Sequence, residues 1–334
     1  MAGSAFYFSL HSGVGGRWAL ERLREVKSDQ PSSAQVHLVM QDENNGQEST
    51  DSVAARIGAN LDAAERRIQG SVCPIYVIDA REKPKLLGSS VPFRVAQRAF
   101  LLTAAHVLDE NKQTNLYVAG PEKLIALEGS SHRVCAPLGD RQSDTFDFGF
   151  IEVTSTPEEQ WSRYTFNTPE DLDVDDVGAE HTLYGFVGFP ASKNKGLIGR
   201  KLRLSTTAMI LTPTPQARYK SMALDPLAHF AGNFNRNKQL DATKAIVVGP
   251  DPHGISGGGV WRLGKPAEFA NGTNAERLIG IGIEYRSARA ALIAARISLV
   301  MAAFATAYPD LSGSIPRTTL GRITVTMNDR ASRQ

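Results

Sequence analysis

From about residue 72 onward, the chain consists of short apolar runs separated by polar turns. Apolar runs of about four to eight residues, bounded by turn-forming residues, are typical of β-strands. The candidate strands cover residues 73–78, 99–103, 115–118, 148–153, 182–189, 201–204, 244–248, 260–263 and 278–285. Because few helical stretches lie between them, the pattern predicts antiparallel sandwiches or barrels and not alternating βαβ units.

Residues 1–70 follow a different pattern. Two helical stretches, at about 15–27 and 52–68, flank a candidate strand at 35–40. A polar, turn-forming linker covers residues 42–51. We therefore expect residues 1–70 to form an N-terminal extension that is partly helical and has an unknown role.

The last long apolar segment, residues 290–307, raises the question of a membrane span. It carries one charge, Arg296, which would cost about 2.5–3.5 kcal/mol inside a bilayer. Its large apolar side chains recur at helical spacing, at Ile293, Ile297, Val300, Met301 and Phe304. The pattern predicts an amphipathic helix over about 289–307 that docks on a soluble body. A polar tail with one candidate strand at 323–327 occupies residues 309–334.

Composition limits the classes of protein that remain. The chain has 334 residues, enough for about two domains. Lys and Arg number 37 and Asp and Glu 35, so the net charge of +2 gives no field that attracts nucleic acid or an anionic membrane. With only Cys73 and Cys135, a disulfide framework and a four-cysteine zinc site are excluded. The N-terminus lacks the features of a secretory signal, so we expect a cytoplasmic protein with two free thiols.

Two polar residues stand where a candidate strand ends or begins. His106, in Thr-Ala-Ala-His-Val at 103–107, precedes a polar turn, so its side chain is placed to reach a cleft; a hydrogen-bonded core histidine is the alternative. Asp147 opens the apolar strand 148–153, where partial burial favours a specific donor such as an imidazole N–H. An ordinary turn carboxylate is the alternative. The neighbouring Asp144 lies within the polar loop, and we expect it to stay solvated.

A glycine-rich stretch, Gly-Ile-Ser-Gly-Gly-Gly at residues 254–259, surrounds Ser256. Glycines on both sides of a serine let the backbone turn so tightly that neighbouring N–H groups converge. Converging N–H groups are what a developing oxyanion requires. A phosphate-binding loop is one alternative, but no lysine follows in the required register. A plain turn is the other.

The order of these residues along the chain distinguishes the classes of serine hydrolase. Residues 254–258 satisfy the Gly-x-Ser-x-Gly pattern of α/β-hydrolases, but those enzymes place their histidine after the serine, and the last histidine here is His253. A subtilisin-like order needs an acid before His106, where no supporting motif occurs. The order His106, Asp147, Ser256 is that of chymotrypsin-like proteases.

Residues from about 70 to 308 resemble the trypsin/chymotrypsin family of serine peptidases, and the match is closer to its disulfide-free bacterial members. Residues 103–107 resemble the family's Thr-Ala-Ala-His-Cys, with Val107 in place of the cysteine. Residues 254–258 resemble its Gly-Asp-Ser-Gly-Gly. The stretch around Asp147 is similar to the family's Asp-x-Ala strand.

This resemblance implies a fold and a division of the chain. The fold is all-β, with two packed antiparallel six-stranded β-barrels, a C-terminal helix and an N-terminal α/β extension. A protease domain at 71–308 would contain a first barrel at about 71–160, a second at about 178–288 and the helix at about 289–307. Residues 1–70 are not covered by the resemblance.

The resemblance also implies roles for the candidate residues. Ser256 would attack the scissile carbonyl while His106 accepts its proton and later donates it to the leaving amine. Asp147 would hold the imidazole in the required tautomer. The N–H groups of Gly254 and Ser256 would bind the oxyanion. No metal and no organic cofactor is implied.

The substrate pocket and the activation route are less specific. The resemblance places Pro250, six residues before Ser256, at the floor of the primary pocket. Asp251 beside it and Glu284 on a flanking strand would favour a basic substrate side chain, unless both are solvated. Ile255 replaces an aspartate that receives a new N-terminus in the digestive members. We therefore expect the full-length chain to be competent without cleavage, unless residues 1–70 gate the cleft.

The sequence thus predicts a cytoplasmic serine endopeptidase that acts on protein or peptide substrates, with neither nucleic acid nor a membrane as partner. Two alternatives stay open. One is a catalytically silent trypsin-fold module that binds a regulatory partner through the cleft or through residues 1–70. The other is a self-processing regulator that cuts only its own chain or one partner.

Overall fold

A computed structural model of the chain describes residues 8–9, 50–112, 114–135, 140–141, 144–154, 158–194, 197–198, 201–202, 204–240, 246–318 and 327–330. The helices are α1 (Thr50–Gln69), α2 (Ala105–Asp109), α3 (Pro266–Asn271) and α4 (Ile297–Ala307). The strands are β1 (Phe8–Ser9), β2 (Cys73–Ile78), β3 (Pro84–Val95), β4 (Arg98–Ala104), β5 (Tyr117–Ala119), β6 (Leu124–Ala126), β7 (Ser131–Val134), β8 (Phe148–Val153), β9 (Leu183–Gly188), β10 (Leu197–Ile198), β11 (Lys201–Leu202), β12 (Thr207–Pro213), β13 (His229–Asn233), β14 (Gln239–Leu240), β15 (Ile246–Val247), β16 (Gly259–Gly264), β17 (Arg277–Arg286), β18 (Ala291–Arg296) and β19 (Met327–Arg330).

Six strands of the C-terminal half form a closed antiparallel barrel in the order β9, β12, β13, β18, β17, β16. The ring closes because β16 pairs with β9, while β13 pairs with both β18 and β12. Burial of large apolar side chains, among them Tyr184, Phe186 and Phe230, supplies the main driving force for this unit.

Seven strands of the N-terminal half and the C-terminal strand β19 form an antiparallel sheet, here called the N-terminal sheet, in the order β19, β7, β8, β4, β3, β2, β5, β6. The predicted strands at 73–78 and 148–153 coincide with β2 and β8. The predicted fold class is confirmed, because the chain is mostly β and is built from a closed six-stranded barrel and a second antiparallel sheet. The register of β4 against β8 matters most for the site, since it sets Ala104 opposite Phe148.

The helix predicted over about 289–307 is wrong in its first part. Residues Ala291–Arg296 form strand β18, and only Ile297–Ala307 form helix α4. Strand β18 lies between β13 and β17 and is buried along its whole length, so an apolar run without polar alternation suits it. The guanidinium of Arg296 donates to the carbonyl oxygens of Pro226 at 2.8 Å and Asp176 at 2.5 Å, which satisfies a charge that is 5% exposed.

Helix α4 connects the two halves. It follows the last strand of the barrel, and its Phe304 packs against the N-terminal sheet. The ring centroid of Phe304 lies 4.8 Å from that of Phe100 and 5.1 Å from that of Phe150. The contact with Phe100 is edge-on and that with Phe150 is tilted, and such pairs of buried aromatic rings stabilise the packing beyond the effect of the area that they bury. The C-terminal helix therefore holds the sheet and the barrel together.

Helix α1, which agrees with the helix predicted at 52–68, packs on the barrel. Arg67 donates two hydrogen bonds to the carboxylate of Glu276, at 2.8 and 2.6 Å. Asn60 Nδ2 donates to the carbonyl oxygen of Phe269 at 2.7 Å. The predicted helix at 15–27 and strand at 35–40 lie outside the described residues.

The remaining predictions concern the C-terminal strand, the two cysteines and the helices. The candidate strand at 323–327 lies outside the described residues except for Met327, where β19 begins and pairs with β7. Cys73 and Cys135 are free thiols, and Cys73 is buried. Within the described ranges, every helix is too short or too polar to cross a membrane.

Candidate active site

His106 and Asp147 meet at one end of the N-terminal sheet. Helix α2, which carries His106, begins directly after β4, and Asp147 directly precedes β8, the antiparallel partner of β4. Asp147 Oδ2 lies 2.6 Å from His106 Nδ1, and Asp147 Oδ1 accepts the backbone N–H of His106 at 2.9 Å. The N–H of Ala105 also donates to the carbonyl oxygen of Asp147 at 2.9 Å. The carboxylate therefore fixes both the position of His106 and the orientation of its ring.

The two side chains differ in exposure. The Asp147 side chain is 12% exposed and that of His106 is 38% exposed, so the imidazole is accessible from solvent while its carboxylate partner is covered. Asp147 has a φ of +38°, in the left-handed region that few residues other than glycine adopt. Aspartate is one of the residues that tolerate this region, which suits its place at a sharp entry into β8.

The expectation that Asp144 stays solvated is wrong. Its side chain is 1% exposed and forms an ion pair with Arg141, three residues earlier in the same loop. Its other oxygen accepts the N–H of Phe146 at 3.0 Å. A cation from the same loop offsets the cost of burying this carboxylate, which the sequence pattern did not show. Asp144 thus has partners of its own and does not contact His106.

The loop that carries Ser256 begins with a tight turn. The N–H of Ile255 donates to the carbonyl oxygen of Pro252 at 3.1 Å, and Gly254, the third residue of the turn, has a φ of +90°. These features define a type II β-turn, which requires a residue with positive φ at that position. Gly254 is therefore needed for the conformation of the loop.

The N–H groups of Gly254 and Ser256 are oriented by the carbonyl groups of their own peptide units. The carbonyl oxygen of His253 accepts the N–H of Ala191 at 2.8 Å, and that of Ile255 accepts the N–H of Gly258 at 2.8 Å. Because C=O and N–H point in opposite directions in a trans peptide, each bond fixes the direction of the N–H that follows. Neither N–H has a protein acceptor within the described residues.

The N-terminal sheet holds this loop directly. The N–H of Ser89 in β3 donates to the carbonyl oxygen of Ser256 at 2.8 Å. Gly257 has a φ of +84°, and a Cβ at this residue would lie 2.0 Å from the carbonyl oxygen of Ser89 and 2.1 Å from Thr103 Oγ1. No residue with a side chain fits there without moving the sheet. The loop and the sheet are therefore in close contact at Gly257.

Ser256 lies beside the segment that carries His106. A Cβ on Gly88 would lie 2.6 Å from a methyl group of Val107 and 3.0 Å from the carbonyl oxygen of Ser256. The Val107 side chain and the Ser256 carbonyl group therefore both pack against Gly88 of strand β3. The half-buried Ser256 side chain makes no hydrogen bond to His106 in the described part of the chain. The structure thus brings the imidazole and the carboxylate into contact and places the backbone of the serine loop next to Val107, the residue that follows His106.

The predicted pocket residues have partners within the chain. Asp251 forms an ion pair with Arg236 at 3.4 Å, and Glu284 forms one with Arg286 at 2.7 Å. Both carboxylates are about half exposed, and such pairs contribute little free energy, so a substrate cation can compete for them. Pro250 is half-buried. The preference for a basic side chain stays a prediction.

Ile255 is part of the hydrophobic core. Its side chain is 3% exposed and belongs to the same buried cluster as Phe186 and Val260 of the barrel. The loop is therefore held at this position by apolar burial, where an aspartate would need a cationic partner.

Two buried residues near the site were missed by the sequence analysis. Ser89 donates through Oγ to the carbonyl oxygen of Gly254, which is 165 residues away. His229 in β13 contacts the carbonyl oxygen of Thr145 through Nε2 at 2.8 Å, across 84 residues, and stacks on Phe146 at 5.6 Å. Neither residue belongs to a local motif, so only the three-dimensional arrangement shows its contacts.

The comparisons with known proteins add little to this geometry. Neither a family model nor a curated protein matches the sequence. The fold is similar to a solved structure described as HL collagenase, with a TM-score of 0.45 and 11% identity, over 72% of this chain and 94% of that one. A likeness at this level carries no argument about function, and the fold described above rests on its own strand pairings. In the described ranges, no group of three or more His, Cys, Asp or Glu side chains could hold a metal ion.

Proposed function

We propose that the protein is a serine endopeptidase of the trypsin type, which hydrolyses peptide bonds through an acyl-enzyme intermediate. The observation that carries the proposal is the two-point contact of Asp147 with His106, through the ring Nδ1 and the backbone N–H. This contact fixes an accessible imidazole in one tautomer, with Nδ1 protonated and Nε2 able to accept a proton. A carboxylate that served only to neutralise a charge would not require this orientation.

In this mechanism Ser256 Oγ attacks the carbonyl carbon of the scissile peptide while its proton passes to His106 Nε2. Asp147 stabilises the imidazolium that forms. The tetrahedral intermediate then breaks its C–N bond, and His106 donates the proton to the leaving amine. A water molecule, deprotonated by His106 in the same way, hydrolyses the acyl-enzyme and restores the Ser256 hydroxyl.

The N–H groups of Gly254 and Ser256 are assigned to the oxyanion that forms on the substrate. Their directions are fixed before substrate arrives, by the contacts of the His253 and Ile255 carbonyl groups. Donors that need no reorganisation stabilise the developing charge most effectively. The buried Ile255 supports competence of the uncleaved chain, because the loop is anchored without a new N-terminal ammonium group.

Covalent labelling of the full-length chain with a fluorophosphonate probe tests the proposal. We expect the wild type to be labelled at Ser256, Ser256→Ala to show no labelling, and His106→Ala to react slower by several orders of magnitude. The matched control is Ser221→Ala, at an exposed serine whose hydroxyl donates to the carbonyl oxygen of Arg218 at 2.8 Å. This control keeps the wild-type labelling rate.

Two outcomes contradict the proposal. Labelling that persists in Ser256→Ala, at the wild-type rate, removes Ser256 as the nucleophile. A folded wild type that does not react favours the catalytically silent binding module. Circular dichroism of each variant shows whether a loss of labelling comes from a loss of fold.

A further inference from the structure

Ser89 is fully buried in strand β3, and each of its polar groups has a partner near the candidate site. Its hydroxyl donates to the carbonyl oxygen of Gly254 at 3.0 Å and accepts the N–H of Phe189 at 2.9 Å. Its backbone N–H donates to the carbonyl oxygen of Ser256 at 2.8 Å. Its carbonyl oxygen accepts the hydroxyl of Thr103 at 2.7 Å. One residue of the sheet therefore contacts the barrel and the serine loop at three points.

The contact with Gly254 is the one that bears on chemistry. The Gly254 carbonyl group belongs to the peptide unit that lies between the two N–H groups assigned to the oxyanion. The ψ of Gly254 and the φ of Ile255, which set the orientation of this unit, also set the orientation of the two flanking peptide units relative to each other. A change in either angle that the other does not compensate would alter the directions of the two N–H groups. The Ser89 hydroxyl opposes such a change, since it holds the carbonyl oxygen from a fully buried position.

A hydroxyl suits this position because it donates and accepts at once. Alanine would leave the Gly254 carbonyl group and the Phe189 N–H without the partner that Ser89 supplies. Buried polar groups without partners are costly, and the loop can restore hydrogen bonds to them only by moving. The expected consequence is a displaced turn, so the effect reaches the site and not only the stability of the fold.

We propose that Ser89 is a positioning residue for oxyanion stabilisation, which rests on the peptidase function proposed above. It contacts neither the substrate nor the imidazole. It acts through the Gly254 carbonyl group, which it ties to Phe189 at the end of strand β9. The N-terminal sheet thereby sets the geometry of a loop that belongs to the barrel.

The adjacent residue provides a matched control. Ser90 is also fully buried in β3, and its hydroxyl contacts the Cys73 carbonyl oxygen at 3.2 Å and the Cys73 sulfur at 3.0 Å, both within the sheet. Ser89→Ala and Ser90→Ala each remove a fully buried hydroxyl oxygen, from neighbouring positions of one strand. The serine loop loses a contact in the first variant alone.

The experiment measures fluorophosphonate labelling at several probe concentrations, which separates the maximal rate constant from the apparent affinity. The phosphonyl oxygen occupies the place of the oxyanion during attack. We expect Ser89→Ala to lower the maximal rate constant by about tenfold to a hundredfold, less than the loss of one oxyanion donor, with the affinity for the probe unchanged. Ser90→Ala should stay within about twofold of the wild type, because it leaves the turn untouched.

Three results decide the matter. Equal rate constants for Ser89→Ala and Ser90→Ala overturn the role of Ser89 while the labelled wild type leaves the proposed function standing. A folded wild type that does not react at Ser256 overturns the proposed function and this role with it. If Ser89→Ala fails to fold, Ser89→Cys retains a weak donor and acceptor. Its rate constant should then lie below that of Ser90→Ala, and a wild-type value contradicts the proposal.

Discussion

The two halves of the candidate site are built in different ways. The half that contains His106 and Asp147 is a contact between two side chains, and both residues directly adjoin paired strands of the N-terminal sheet, β4 and β8. The half that contains Ser256 is defined by backbone geometry, by Gly254 and Gly257 with positive φ and by peptide units held through their carbonyl groups. The first half needs only the pairing of β4 with β8, whereas the second needs the sheet and the barrel together.

This difference determines how each half can fail. The imidazole and the carboxylate lose their function when one side chain changes, because their contact is direct. The serine loop fails when its supports change, including supports that belong to the other unit. Substitutions in each half, paired with control variants, test this contrast.

Asp147→Asn should have the largest effect. The amide keeps an oxygen for the backbone N–H of His106, but its NH2 group then faces Nδ1 and favours the wrong tautomer. On the proposed mechanism kcat falls by about 10^4-fold with little change in KM, as measured with a peptide substrate or as the labelling rate. The fold should survive, because asparagine also tolerates the left-handed region that Asp147 occupies.

Asp144→Asn is the control for this prediction. Asp144 lies in the same loop and is also buried, but its partners are Arg141 and the N–H of Phe146. We expect this variant to lose stability and to keep most of its labelling rate. If the two variants lose activity equally, the direct contact between Asp147 and His106 is not what matters, and the comparison between the two halves fails.

The sequence could predict the first half of the site because its parts are adjacent to strong local patterns. His106 ends one apolar run and Asp147 begins another, so the pairing of two predicted strands suffices to bring them together. The strands at 73–78 and 148–153 were predicted correctly for the same reason: each is a short apolar run between turns.

The supports of the second half could not be predicted in this way. Ser89 has no distinguishing pattern within β3, and its partner Gly254 is 165 residues away. Strand β18 was predicted as a helix because Ile293 continues the helical spacing of the apolar residues in α4, and an apolar run buried on both faces shows no polar alternation that would mark a strand. Long-range contacts of the backbone leave no mark on the local sequence, and they are what fixes the serine loop.

Ile255→Ala should have an intermediate effect, confined to the second half. The Ile255 side chain is 3% exposed and packs with the barrel core, so its truncation should lower the free energy of unfolding by about 2–5 kcal/mol. Denaturant unfolding followed by circular dichroism measures this change. The control is Leu227→Ala, at a residue that is 60% exposed, which should change stability by at most about 0.5 kcal/mol. Equal effects would show that the loop does not depend on apolar burial.

His229→Phe should have the smallest effect, and it tests whether the first half receives any support from the barrel. The ring of phenylalanine keeps the stacking on Phe146, but the hydrogen bond of Nε2 to the carbonyl oxygen of Thr145 and the contact of Nδ1 with the Asp225 backbone are both lost, which should cost about 1–3 kcal/mol. The labelling rate should change by less than about threefold, since the contact between Asp147 and His106 is untouched.

The pH dependence of stability provides a second test of the His229→Phe variant. Burial lowers the pKa of His229 below its usual 6.5, and the charge of Arg286 lowers it further. The hydrogen bonds to the backbone of Thr145 and Asp225 and the charge of Asp225 act in the opposite direction but are the smaller effect. As the pH falls below about 6.5, the unfolded chain binds a proton that the folded chain excludes, so stability present above that pH is lost. Urea unfolding at about pH 7.5 and about pH 5.5 should therefore show a smaller loss of stability in His229→Phe than in the wild type. An identical loss in both proteins would mean that the burial of His229 between the barrel and the Asp147 loop does not exclude a proton from the folded chain.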